Sequence, residues 1–217
     1  MGGWQLVEVL GNGTFGETWR ATDPTGAPAA VKLLNRPPGD ELRVRSRIAH
    51  PSLIGVLGSG GGERPYLAME FAAGRTLART DPLAEGQALA VVAAVLDALA
   101  ALHAGGLTHG DVKPDNVMVD VHADGTVDVK LMEVGMAGAR RAGSLTWASP
   151  ERLRGQPTRP ACDVYAAGLL LWKLVHGELP FAALPPEKML ARRQASPVLP
   201  SAGPDWVRAL LGRMLDL

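Results

Sequence analysis

The chain contains a single cysteine, no excess of charge of either sign and no long uninterrupted apolar run. One cysteine, Cys162, excludes an internal disulfide framework and is typical of a reducing compartment, so we expect a cytoplasmic protein. The 22 Lys and Arg residues balance the 22 Asp and Glu residues. No basic field is left to attract nucleic acid or an anionic membrane surface, and the composition therefore predicts no nucleic-acid partner.

Apolar stretches of the kind that cross a membrane are also missing. The richest run, Val164 to Leu174, is short and carries Lys173, whereas a span needs about 20 predominantly apolar residues. The first residues lack the basic and apolar segments of a secretory signal. We expect neither secretion nor a membrane span from this sequence, while tethering through a region beyond Leu217 stays open.

A glycine-rich segment, Gly11 to Gly16, lies between two strand-like stretches, Trp4 to Leu10 and Glu17 to Ala21. Glycine has no Cβ and tolerates positive φ, so backbone amides in such a segment can approach a polyphosphate. A dinucleotide-binding fingerprint would need a helix after the glycines, whereas a strand is predicted here. The pattern indicates a hairpin, and an ordinary turn with spare glycines is the alternative.

Further strand and helix signals divide the chain into two parts. The first part, about 70 residues long, is rich in strand-forming residues. Its other predicted elements are strands at Ala29 to Leu34, Leu53 to Leu57 and Tyr66 to Phe71 and a short helix at Glu41 to Ala49. Helical periodicity dominates the second part. The elements predicted there are helices at Leu83 to His103, Cys162 to His176, Glu187 to Gln194 and Pro204 to Asp216, with short strands at Val117 to Val119 and Val127 to Met132.

The segment from His109 to Asn116 carries the most specific chemical pattern in the chain. It places the carboxylate of Asp111, the ammonium of Lys113 and the amide of Asn116 at the spacing that phosphoryl transfer from ATP requires. These groups can orient a hydroxyl and accept its proton, neutralise the moving phosphoryl group and hold a metal ion, respectively. A capped polar turn between a helix and a strand is the alternative, and five matched positions weigh against it.

Taken in order, these motifs resemble the protein kinase superfamily and, within it, the bacterial (Hanks-type) serine/threonine protein kinase domain. The resemblance rests on the glycine-rich segment, Lys32, the segment from His109 to Asn116, Ser149-Pro150-Glu151 and Asp163. It implies an α+β, bilobal protein-kinase-like fold with a small β-rich N-lobe (about 1–70), a hinge (about 70–74) and a larger, mainly α C-lobe (about 75–217). We expect residues 1–217 to form one kinase-like domain that is truncated at its C-terminal end.

The resemblance implies ATP and a divalent metal, Mg²⁺ or Mn²⁺, as cofactors. Lys32 would grip the α and β phosphates and pair with Glu41, while Asn116 and Glu133 would hold the metal. The implied catalytic residues are Asp111, Lys113 and Lys32. The implied nucleotide-binding residues are Gly11, Gly13, Gly16, Thr18, Ala30, Lys32, Glu41, Met69, Glu70, Ala72 and Met118.

The metal-binding motif departs from the family, because Met132-Glu133-Val134-Gly135 stands where the family has Asp-Phe-Gly. Mg²⁺ prefers a near-octahedral set of oxygen ligands, so a carboxylate that is one methylene longer must bend back or shift the ion. Arg45 lies at a position that is apolar in the family. An ion pair between Arg45 and Glu133 is our hypothesis, and a solvated arginine is the alternative.

Other departures and matches concern the surroundings of the catalytic loop. The segment after Gly135 is shorter than the usual activation loop, and Gly110 replaces the arginine that binds a phosphorylated loop in many relatives, so we expect this control to be missing. Asp163 matches an aspartate that braces the loop through backbone amides, and His109 is expected to be a packed structural residue. The resemblance implies an arginine partner for Glu151 further along, and the chain reaches Leu217 before it appears, so we expect either that the chain is cut short or that Glu151 has another partner.

By resemblance, the chain is an ATP-dependent serine/threonine protein kinase domain of bacterial signalling that transfers the γ-phosphoryl group to a protein hydroxyl, with activity weakened by Glu133. The alternative is a pseudokinase, a regulatory module that binds nucleotide or a protein partner without transfer. A kinase-fold enzyme that acts on small molecules is a third class. An enzyme should need Mg²⁺ or Mn²⁺ with ATP, whereas a regulatory module need not, so metal dependence separates the first two classes.

Overall fold

The computed structural model, which describes residues 2–13, 16–37, 42, 45–133, 145–180, 184–195 and 205–215, has two parts. The first part is a sheet of five strands, which are β1 (Gln5–Gly13), β2 (Gly16–Thr22), β3 (Pro28–Leu34), β4 (Val56–Gly60) and β5 (Tyr66–Glu70). All neighbouring strands are antiparallel, in the order β1-β2-β3-β5-β4. The hairpin predicted around the glycine-rich segment is therefore confirmed.

Side-chain alternation decides which face of this sheet is buried. Successive residues of a strand point to opposite faces, and Val31 and Leu33 of β3 join Ala21 and Ala68 in a small apolar cluster on one face. Lys32, between Val31 and Leu33, points the other way. The sheet thus directs the predicted phosphate-binding lysine away from its own apolar cluster.

Gly16 has a structural reason to be glycine. Its φ is 141°, and a Cβ built on it would lie 1.7 Å from the carbonyl oxygen of Leu33. No side chain fits at that distance, because real Cβ atoms keep van der Waals separation from neighbouring atoms. The glycine therefore lets the start of β2 pack directly against β3.

Two predictions for the first part are wrong in their bounds. The strand predicted at Leu53 to Leu57 is β4 at Val56–Gly60, because buried Leu53 instead forms an isolated parallel bridge with Leu131 of the second part. The helix predicted at Glu41 to Ala49 does not continue past Arg45. The amide of Ile48 donates to the Arg45 carbonyl in a tight turn, and the proline at 51 disfavours a helical residue before it. Glu41 lies outside the described residues.

The second part is mainly helical, which confirms the predicted α+β bilobal fold. Its described helices are α1 (Glu85–Ala104), α2 (Pro150–Leu153), α3 (Pro160–His176), α4 (Pro186–Ala195) and α5 (Asp205–Leu215). Three further strands, β6 (Arg75–Thr76), β7 (Val117–Val121) and β8 (Val127–Leu131), form a second sheet in that order. Helix α1 packs against α3 and β8, and α3 packs against α5.

Helix α1 forms the centre of this part of the protein. Its buried residues recur at helical spacing, as expected for one apolar stripe facing a core, and they are Ala88, Val91, Val92, Val95, Ala98, Leu99 and Leu102. Among the described residues, α1 alone is long and apolar enough to pass as a membrane span by length and composition. Because that stripe joins the common core of α3, α5 and β8, we interpret α1 as a core helix.

Backbone hydrogen bonds join the two parts of the protein. The Ile54 amide donates to the Leu131 carbonyl at 3.0 Å, and the Leu131 amide donates to the Ser52 carbonyl at 2.8 Å. An ion pair of 2.6 Å between Lys130 of β8 and Glu70 of β5 lies nearby. We call the contact of residues 52–54 with Leu131 the interlobe bridge.

Candidate active site

The loop that contains Asp111 follows α1 and is held by the start of α3. The carboxylate of Asp163, buried in the first turn of α3, accepts the amide hydrogens of His109 and Gly110 at 2.8 Å each. His103, at the end of α1, lies 2.9 Å from the same carboxylate. The predicted brace through backbone amides is therefore present, and Asp163, which also contacts His103 of α1, fixes the loop before Asp111.

His109 is a packed structural residue, as expected, with no exposed surface. Its Nε2 lies 2.7 Å from the Met132 carbonyl, which can only accept, and its Nδ1 lies 3.1 Å from the Asp111 amide, which can only donate. These partners assign the neutral tautomer with hydrogen on Nε2. Burial lowers the pKa of His109 below its ordinary value of 6.5, and the carboxylate of Asp163 offsets this only in part.

The three polar residues predicted to act together do meet. The Lys113 ammonium lies 2.5 Å from Oδ2 of Asp111, and the Asn116 amide nitrogen lies 2.9 Å from the same oxygen and 2.7 Å from the Asp111 carbonyl. Lys113 and Asn116 are buried, whereas the Asp111 side chain is partly exposed. A short 3₁₀ turn at Pro114–Asn116 brings the amide back toward the carboxylate. The arrangement offers one reachable carboxylate backed by two fixed donors.

Lys32 and Glu133 form an ion pair across the cleft between the two parts. The Lys32 side chain is 4 % exposed and that of Glu133 is 29 % exposed, so the pair is shielded on the lysine side. Glu133 has φ of 58° and is the one described non-glycine residue with positive φ. Such conformations cost about 1–3 kcal/mol and concentrate at functional sites, which marks Glu133 as a candidate for function.

The hypothesis that Arg45 pairs with Glu133 is wrong, and so is its solvated alternative. Arg45 is 2 % exposed and donates to the backbone carbonyls of Ile48, at 2.9 Å, and Ile54. Burial lowers the pKa of Arg45, which the nearby charge of Glu70 partly opposes. Backbone carbonyls accept the hydrogen bonds of this buried guanidinium. Lys32, and not Arg45, forms the ion pair with Glu133.

Several predicted nucleotide-binding residues lie on paired strands of the two sheets. Strand register places Ala30 opposite Met69, and Thr18 opposite Lys32. Met118 of β7 pairs with Thr76 of β6. Strand β6 follows the predicted hinge segment in the chain. Thr18, Ala30, Met69 and Met118 are each partly exposed, as residues of an open cleft would be. Their role in binding stays a prediction.

The segment predicted as a hinge begins at the end of β5. The Glu70 amide donates to the Gly55 carbonyl at 2.9 Å, and the Glu70 carboxylate accepts the Gly55 amide at the same distance. Together with the ion pair to Lys130, these contacts fix Glu70 at the edge of the cleft. Ala72 follows β5 and is partly buried.

Two arginines near the site were missed by sequence reasoning. Arg152 of α2 donates to the carbonyl of Gly110, and buried Arg193 of α4 donates to the carbonyls of Leu145, Thr146 and Ala148. Their partners are backbone groups 42 to 48 residues away in the chain. A backbone carbonyl leaves no residue-type signal, so nothing in the sequence could have identified these contacts.

Glu151 lacks the arginine partner that the resemblance implies, as far as the described residues go. Its Oε2 is buried without a hydrogen-bond partner there, as is the hydroxyl of Ser149. Burying a polar oxygen without a partner costs free energy.

The residues present fit a divalent metal held jointly with phosphate. Asn116 and Glu133 lie at the same end of the β7–β8 hairpin, because the Met132 amide donates to the Asn116 carbonyl at 2.8 Å. Mg²⁺ is commonly held by one or two protein oxygens together with substrate phosphates. The described residues contain no group of three or more His, Cys, Asp or Glu that could hold a metal alone.

Comparison with known proteins gives a consistent result. The protein kinase domain family matches residues 4–207. The chain is 32 % identical to the serine/threonine-protein kinase PkaB of Streptomyces coelicolor, with 96 % of this chain and 57 % of that protein covered. It is 33 % identical to PkaA of the same organism, with 97 % and 46 % covered, and 33 % identical to PknB of Mycobacterium leprae, with 82 % and 33 % covered. The chain thus spans from a third to just over half of the length of these relatives.

Proposed function

The chain belongs to the protein kinase family, and we propose that it transfers the γ-phosphoryl group of ATP to a serine or threonine hydroxyl of a protein. The cluster of Asp111, Lys113 and Asn116 carries this proposal, since an ammonium and an amide lie 2.5 and 2.9 Å from one carboxylate oxygen. The relatives named above are serine/threonine-protein kinases, which supports the same class of acceptor here.

Asp111 orients the acceptor hydroxyl and takes its proton. The two donors on Oδ2 hold the carboxylate in one orientation, which is what in-line attack by a hydroxyl requires. Lys113 neutralises charge on the phosphoryl group as it moves, and its burial strengthens that effect because the local dielectric constant is low. Positioning and charge neutralisation supply the catalysis.

Lys32 binds phosphate oxygens, and Asn116 and Glu133 would hold the divalent metal. The metal, when bound with ATP, neutralises phosphate charge. Glu133 must exchange its contact with Lys32 for this role. Breaking the ion pair costs free energy and so weakens the binding of ATP with its metal. This cost accounts for the weak activity that we propose.

A regulatory module that binds nucleotide or a protein partner is the second candidate, and the ion pair between Lys32 and Glu133 favours it. The pair engages the ammonium needed for phosphate and the carboxylate needed for metal with each other. A protein that never separates the two would keep its fold without transferring phosphate.

The deciding experiment measures transfer from labelled ATP, with Mg²⁺ or Mn²⁺, to the protein itself and to a basic test protein. Asp111→Asn should lower transfer by at least about a hundredfold. Asp115→Asn is the matched control, because Asp115 is an exposed carboxylate in the same 3₁₀ turn, and it should retain transfer.

Equal transfer by wild type and Asp111→Asn would point to a contaminating kinase and contradict the assignment of Asp111. No transfer by folded wild type that still binds ATP would overturn the enzyme proposal in favour of the regulatory module. Nucleotide affinity measured with and without metal, in the same samples, separates these outcomes from a failure to bind.

A further inference from the structure

Gly110, the residue that precedes Asp111, is held at both its backbone amide and its backbone carbonyl. The Gly110 amide donates to Oδ1 of Asp163 at 2.8 Å, and the Gly110 carbonyl accepts from the guanidinium of Arg152. Gly110 has φ of 76°, a conformation that side chains with a Cβ rarely adopt. Holding both polar groups of this residue fixes the direction in which the chain enters Asp111.

Arg152 makes this contact from the short helix α2. It lines a small cavity together with Asp111 and Asp163. A hydrogen bond from a charged donor in a partly buried site is stronger than one between neutral groups at the surface. We therefore expect the hydrogen bond from Arg152 to Gly110 to contribute more free energy than a typical surface hydrogen bond.

We propose that Arg152 is a positioning residue for Asp111, which couples α2 and the segment before it to the catalytic loop without phosphorylation. The role rests on the proposed phosphoryl transfer. Gly110 itself offers no side chain for such a link, and Arg152 supplies the cation from the other side of the contact. Because the donor is built into α2, the link forms whenever α2 folds.

A second arginine extends this chain of contacts. Arg193, 6 % exposed in α4, holds the carbonyls of Leu145, Thr146 and Ala148, just before α2. Burial lowers the pKa of Arg193, and its guanidinium lies over the Tyr165 ring at 5.8 Å. Arg193 thus holds the segment that precedes α2, and Arg152 of α2 in turn holds the carbonyl of Gly110.

The first test follows hydrogen exchange, which needs no catalytic activity. In Arg152→Gln, amides at 109–111 should exchange about tenfold faster than in wild type, because the lost charge-assisted bond lets the loop open locally. The hairpin of β7 and β8 should be unchanged. Arg192→Gln is the matched control, since Arg192 is exposed on α4, and it should leave exchange at 109–111 as it is in wild type.

The second test uses kinetics and chemical rescue. Arg152→Gln should lower kcat about tenfold and change KM for ATP by less than about twofold, because Asp111 loses its position while the nucleotide pocket is intact. Guanidinium ion added at millimolar concentration should restore part of kcat, whereas urea should not. Arg152→Lys should fall between wild type and Arg152→Gln.

Unchanged exchange at 109–111 in Arg152→Gln would overturn the proposal, and so would a loss of kcat that guanidinium does not restore. If Arg152→Gln does not fold, the same comparison is made with Arg152→Lys, which keeps the charge but not the geometry. If wild type transfers no phosphoryl group, the proposed function is refuted. The exchange experiment still tests whether Arg152 holds residues 109–111, because it needs no catalytic activity.

Discussion

At the scale of single residues, the proposed function requires a nucleotide and its metal to break the ion pair of Lys32 with Glu133. The ammonium is almost fully buried and paired with Glu133 across the cleft. Phosphate and metal each compete with one partner of that pair. Binding of either ligand therefore releases the residue that the other one needs, and the two should bind cooperatively.

We predict that Glu133→Gln raises the affinity for ATP in the absence of metal by about threefold to tenfold, because Lys32 then no longer has to give up its ion pair with Glu133. The stimulation of binding by Mg²⁺ should shrink in the same variant. Fluorescence titration of a nucleotide analogue, with EDTA or with Mg²⁺, measures both effects. Glu133→Asp keeps the charge and should keep the dependence on metal. An unchanged or lower metal-free affinity in Glu133→Gln would contradict the cooperative arrangement.

His109 gives a prediction about pH. Its pKa lies below 6.5 in the folded protein, so below that pH the unfolded chain takes up a proton that the folded chain refuses. The free energy of unfolding should therefore fall as the pH drops through 6.5, by up to about 1.4 kcal/mol per pH unit for this residue.

Urea unfolding of wild type and His109→Gln between about pH 7.5 and about pH 5.5 tests whether the free energy of unfolding falls with pH as expected. This range spans the ordinary titration of histidine. The variant should lose less stability over that range. His122→Gln serves as control, because Asp128 raises the pKa of exposed His122 and gives its effect the opposite sign. Parallel curves for wild type and His109→Gln would refute the role of the buried imidazole.

How far the sequence predicts this site depends on the distance between its residues in the chain. Asp111, Lys113 and Asn116 lie within six positions, so spacing alone placed them together correctly. Lys32 and Glu133 lie 101 positions apart, and their ion pair depends on how the two lobes meet. Local patterns carry no information on such a contact, which is why Arg45 was assigned to Glu133 instead.

At the scale of elements, the packing of α3 on α5 depends on a residue without a side chain. A Cβ at Gly168 would lie 2.9 Å from both Cβ of Met214 and Cδ2 of Leu215. Contacts that short force neighbouring atoms to move. The two helices can approach this closely because position 168 is glycine.

Gly168→Ala should lower the free energy of unfolding by about 1–3 kcal/mol, because overpacking at this contact outweighs the gain in helix propensity. Gly86→Ala is the matched control in α1, where no heavy atom lies within 4 Å of the added methyl group. That variant should gain up to about 1 kcal/mol. Denaturant unfolding compares the two, and a change of the same sign in both would rule out the close contact as the cause.

Elements were predictable where a residue pattern and a local stop signal coincided. Helix α1 follows its apolar period and ends before Gly105-Gly106, close to the predicted bounds. The predicted strand at Leu53 was misplaced, because an apolar residue can be buried in an isolated bridge, as Leu53 is with Leu131, as well as within a sheet. Helix α2 is only four residues long, and no periodicity can be detected over that length.

At the scale of the whole molecule, the two lobes are joined by backbone and by charge. The interlobe bridge uses main-chain groups of residues 52–54 and Leu131, so most side-chain changes leave it intact. The ion pair of Glu70 with Lys130 adds a contact that depends on side chains, about a third exposed on each partner. Solvent screening limits what such a pair contributes.

A double-mutant cycle with Glu70→Gln and Lys130→Met should give a coupling energy of about 0.5–1 kcal/mol at low salt. Raising the ionic strength should reduce the coupling, since the pair is reached by solvent. Unfolding in urea at two salt concentrations provides the measurement. A coupling that exceeds this range and ignores salt would show that the pair is more shielded than its exposure indicates.

Helix α1 also has a consequence for the synthesis of the protein. It ends at Ala104, and its packing partner α3 begins at Pro160. A ribosome that adds about 5–20 residues per second therefore completes α1 several seconds before α3 emerges. During that interval the apolar stripe of α1 has no partner helix to pack against, so we expect the nascent chain to bind chaperones that recognise exposed apolar segments.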